Sequence, residues 1–214
     1  MMAATATMME KLETRLKNTK KLVSKTTPEY ISQIPKHLQQ FIPNVYDPTA
    51  NALGYEEDGW FRVRTEMIKE ATDYKNVYTK LQGGKGPMKT ALEGLQVECK
   101  ESAIGPNKWL SKLGHGQIIA NTYGRPIVFL SNEESCTFLP LRVGPSGQSD
   151  PVYLLYVNGN HWVLANVVGK DGVKPILPPI LANRVTSKNA KSWLNHIQAR
   201  RALYCDGITQ SLSS

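Results

Sequence analysis

Four short apolar runs between residues 126 and 168 restrict the possible fold more than any other feature of this sequence. They are Pro126–Ser131 (PIVFLS), Thr137–Leu141 (TFLPL), Val152–Val157 (VYLLYV) and His161–Val168 (HWVLANVV). Each is too short for a helix with a buried face, and turn-forming residues separate them, so the spacing predicts four strands. Asn158–Gly159, between the last two, predicts a tight hairpin, because both residues tolerate positive φ.

Helical spacing surrounds this strand region. Residues 8–24 can form a basic helix, although Leu12, Leu16 and Val23 give it only a sparse apolar stripe. Thr27 and Pro28 suit an N-cap and first helical position, and Tyr30, Ile34, Leu38 and Phe41 follow on one face until Pro43. Residues 44–58 read as a turn-rich stretch. Asp58 is expected to cap a long helix to about Leu81, carried by Trp60, Val63, Met67, Ala71, Tyr74 and Tyr78 and ended by Gly83–Gly84. Met88–Val97, a segment around Gln117–Asn121 closed by Gly124, and Ser187–Cys205 complete the set. Helices, then a small and mostly antiparallel sheet, then a helix make the expected class α+β. The expected divisions are a basic extension at 1–26, helical or frayed, one domain at 27–206, and a disordered tail at 207–214.

The net charge of +8 invites a nucleic-acid reading, but its distribution argues against one. Residues 1–26 hold six basic against two acidic side chains, and residues 183–214 hold five against one, so the middle of the chain is neutral. A nucleic-acid groove concentrates charge on one face and interleaves aromatics with it. Cys99, Cys136 and Cys205 are odd in number and lack metal-ligand spacing, which suits a reducing, intracellular compartment, cytoplasmic or nuclear. No apolar run has the length of a membrane span, no secretory leader is expected, and no metal or cofactor is expected.

His161 is the histidine with a site-like position, opening a strand directly after a tight turn. His115, between Gly114 and Gly116, reads as a helix-start residue, and His37 and His196 as surface residues. A cysteine hydrolase needs its thiolate near a histidine, commonly at a helix N-terminus. None of the three cysteines fits. Cys136 reads as buried filler, Cys99 as the end of a helix and Cys205 as the tail of the last one.

The segments GHGQIIANTYGRPIVFLS, TFLPLR and PVYLLYVNGNHWVLANV resemble the C-terminal half of ovarian-tumour (OTU) type cysteine protease domains of fungal proteins. GYEEDGWFRVRTEMIKEATDYKNVYTKLQGG resembles the part that follows the catalytic helix of that family, and the likeness extends over roughly residues 38 to 205. The resemblance implies an OTU-like fold across 27–206, deubiquitinase ancestry, and His161 as the general base. Asn160, beside it, and Asp47 are weaker candidates for an orienting partner. The Asp-Gly-Asn-Cys type motif of the family is missing: Asp47-Pro48-Thr49-Ala50 runs directly into Asn51-Ala52-Leu53-Gly54-Tyr55. The chain is therefore expected to be a pseudoenzyme without peptidase activity that can still bind ubiquitin or a ubiquitin-like protein. Two alternatives stand beside it: an active deubiquitinase whose transcript retains the motif, and a nucleic-acid associated protein that uses the basic ends. The gap should also remove a core helix, so nearby segments must repack or the domain loses stability.

Overall fold

The computed structural model describes residues 44–46, 59–102, 104–146, 150–159, 161–168, 173–180 and 187–212. The helices expected at 8–24 and 27–42 lie outside these residues, as does the cap expected at Asp58. In chain order the elements are β1 (Asn44–Tyr46), α1 (Gly59–Asp73), α2 (Lys75–Leu81), α3 (Lys85–Leu95), a 3-10 turn (Pro106–Lys108) and α4 (Lys112–Tyr123). β2 (Ile127–Leu130), β3 (Cys136–Phe138), β4 (Val152–Val157), β5 (His161–Asn166), α5 (Lys188–His196) and α6 (Gln198–Leu212) follow. The class is α+β.

The sheet has five strands in the order β1-β5-β4-β2-β3. All neighbours are antiparallel except β2 and β4, so the sheet is mostly antiparallel as expected. The four predicted strands are present, though TFLPL is shortened: β3 begins at Cys136 and ends at Phe138. The fifth strand, β1, falls in the stretch expected to be turns. Its three residues are held by pairing with β5, from Asn44 opposite Asn166 to Tyr46 opposite Leu164. Local sequence cannot signal a strand that short.

Alternation along the strands divides the core in two. Ile127, Phe129, Phe138, Val152 and Leu154 pack with Val63, Met67, Ala71, Tyr78, Met88, Leu95 and Ile118 of the helices. Val128, Leu130, Tyr153, Leu155, Val157, Val163 and Ala165 form the opposite layer with Leu177, and Tyr204 packs at its margin. A third group joins Leu139 and Ile176 to Trp193 and Ile197.

Two long helices expected from periodicity are each broken once. The first divides at Tyr74 (φ −115°, ψ 31°), where the Arg142 guanidinium lies 3.3 Å from the centre of the Tyr74 ring and also binds Glu70. The break lets Tyr78 turn inward, where its hydroxyl donates to Glu70 (2.7 Å) and accepts from Asn121 (2.8 Å). The last helix divides at Ile197, and α6 then continues to Leu212, into the stretch expected to be a tail. Outside β3, the segment leading to Ile180 runs alongside Thr137: Thr137 N donates to the Pro178 carbonyl (3.2 Å) and Ile180 N donates to the Thr137 carbonyl (2.8 Å).

Candidate functional site

The site is built on the β4–β5 hairpin. Asn158 (φ 54°) and Gly159 (φ 71°) both occupy the left-handed region, in a three-residue connection between the paired Val157 and His161. The turn sets His161 as the first residue of β5, opposite Val157. Tyr156 folds its hydroxyl back onto the Gly159 carbonyl. Trp162, next in sequence to His161, meets Phe129 edge-on and Tyr156 at a tilt, each with ring centres 4.8 Å apart. Its indole N–H donates to the Leu110 carbonyl (3.2 Å), tying the hairpin to the loop before α4. The backbone that carries His161 is thus fixed by a half-buried ring on one side and a ladder partner on the other.

β1 runs antiparallel to β5, so its last residue, Tyr46, lies toward the His161 end of the pair. Asp47 and Asn160, the two weaker candidates, lie outside the described residues.

No thiol is placed to serve this histidine. Cys136 shares a row across the sheet with Phe129, Leu154 and Leu164, three strand spacings from β5. His161 lies three residues farther along β5. With about 4.8 Å per strand and 3.3 Å per residue, the two backbone positions are roughly 17 Å apart. Proton transfer needs the groups within about 3.2 Å or one water of each other. Burial also pushes the Cys136 thiol up to about 11, against the modest opposing pull of Lys112. Cys99 is exposed in the loop after α3, where its sulfur meets the Ser102 hydroxyl at 3.3 Å; it follows the helix rather than ending it. Cys205 is exposed within α6. None begins a helix.

His115 lies in the first turn of α4, at the helix start that its Gly-His-Gly setting suggests, with its ring turned back on the N-cap. Ser111 is the N-cap of α4, and its hydroxyl accepts from Gly114 N (3.1 Å). The His115 ring reaches back to accept from Ser111 N at Nδ1 (2.8 Å), while Nε2 meets the Ala91 carbonyl of α3 at 2.9 Å. Nδ1 must accept, so Nε2 carries the proton and the ring is neutral. Burial holds its pKa below the ordinary 6.5, and the charge of Arg64 adds to that effect. Arg64 is itself buried and caps the end of α3 through Gly94 O (2.8 Å), while also binding Lys108 O (2.6 Å).

Among the described residues, no group of histidine, cysteine or acidic side chains could hold a metal ion. Nor does any helix among them have the length and apolarity to cross a membrane. No known family model matches the chain, and no curated protein matches it.

Proposed function

We propose that this chain is an OTU-type domain that has lost its nucleophile, is silent as a peptidase, and acts by binding a ubiquitin-like partner at the β4–β5 hairpin. The observation that carries this reading is the pairing of a strand-opening His161 on a fixed hairpin with the absence of any thiol near it. A base without a nucleophile leaves almost none of the rate of a nucleophile–base hydrolase. The α4–β2 and β4–β5 segments that bear the family resemblance form one layer around Phe129 and Trp162. That supports inheritance of the scaffold.

Two measurements on the full chain test the reading. A ubiquitin probe with a C-terminal thiol-reactive group should leave the protein unlabelled, whereas titration with ubiquitin should perturb NMR signals of the β4–β5 hairpin. Covalent labelling would overturn the claim of silence, and an unperturbed hairpin at millimolar ubiquitin would overturn the claim of binding. Grafting an Asp-Gly-Asn-Cys type segment between Ala50 and Asn51 tests the ancestry separately. Labelling should then appear and should vanish again in the His161→Ala version.

A further inference from the structure

Far along the chain from the hairpin, helices α2 and α3 fold back on each other through Gln82–Gly84 and leave an open groove of about 540 Å³ between them. Lys75 from α2 and Lys85 and Lys89 from α3 line it, all three exposed, against a single acid, Glu93. Lys89 approaches Glu93 at 3.7 Å, while Lys75 and Lys85 form no ion pair among the described residues. Leu92 and the buried Met88 give the groove an apolar floor. The amides of Asn76 and Gln96 also line it.

We infer that this groove docks an acidic peptide segment bearing an apolar anchor. Lys75 and Lys85, on opposite helices of one trough and without an ion-pair partner among the described residues, complement carboxylates on a ligand. The floor rewards burial of an aliphatic or aromatic side chain. Side-chain amides pair with a peptide backbone, which presents both donors and acceptors. A nucleic-acid strand fits less well, since among the described residues no aromatic ring lines the groove for bases to stack on. This inference is independent of the His161 site.

Fluorescence anisotropy of the full chain with a short labelled peptide alternating Glu and Leu tests it. Binding is expected to weaken with salt and to fall at least about tenfold in the K75E/K85E/K89E variant. The K188E/K191E variant on α5 carries two thirds of that change in net charge and should bind as the parent does. A peptide alternating Glu and Ser should bind more weakly, for want of an anchor. Equal loss in both lysine variants would reduce the effect to net charge and overturn the inference. So would absence of binding by the parent, retention of binding in the triple variant, or equal binding of the Glu–Ser peptide or of single-stranded DNA. Because the three lysines are exposed, the triple variant should keep its far-ultraviolet circular dichroism. If it does not, the single Lys85→Glu variant carries the test.

Discussion

His115, at the start of α4, is a buried switch for stability. In the folded chain its Nδ1 accepts from Ser111, and a second proton on the ring would set donor against donor. The unfolded chain takes up that proton near the ordinary value of 6.5, whereas the folded chain resists it. Stability contributed by the neutral ring is therefore complete above about pH 6.5 and is lost as pH falls from there through the lower folded value. Urea midpoints measured at falling pH should drop in this window, and the drop should shrink in His115→Gln. His115→Ala should cost about 1–3 kcal/mol even at pH 8, because it orphans the Ser111 N–H. The cysteines divide in the same way. Cys99 and Cys205 should react with Ellman's reagent within minutes at pH 8, while Cys136, buried and held at about 11, should wait for unfolding. Three fast thiols would refute that assignment.

The helix α4 meets the sheet through a close approach at Gly116, where an added methyl carbon would lie 2.4 Å from the Phe138 ring. Gly116→Ala should therefore destabilise the fold by about 1–3 kcal/mol through overpacking, despite alanine's better helix propensity. A thermal melt reads this directly, and a gain in stability would show that β3 can give way. The same contact shows what the sequence could and could not convey. Strand runs such as VYLLYV and the Asn158–Gly159 turn speak through local pattern, and four of the five strands follow from them. Tyr74 gives no local sign of a break, and the Arg142 that packs on its ring there is distant in sequence and bound to Glu70. The polar layer that joins Gln117, Asn121 and Glu70 to Tyr78 is equally hidden, since its amides and carboxylate look like solvent-facing helix groups until α1, α2 and α4 are assembled. At the candidate site, the position of His161 after a tight turn was legible. Its fixing by Trp162 through the Leu110 carbonyl depends on a contact 52 residues apart and was not.

At the scale of the whole molecule, the sheet is a mixed layer with its helices α1 to α4 against one face and Leu177 and Tyr204 at the other. Its β3 margin has a consequence of its own. The Thr137 amide and carbonyl, which would face outward from that strand, are both taken up by the segment that follows Pro175. That segment contains Pro178 and Pro179, two positions that have no N–H to offer a newcomer. Replacing Pro178 and Pro179 with valine should shorten the lag of thioflavin-detected fibril growth on mild heating, while an unchanged lag would place the nucleus elsewhere. On this side the chain carries its own brake on templating: a neighbouring copy that slides up to β3 meets two imide nitrogens with no hydrogen to lend to a shared ladder.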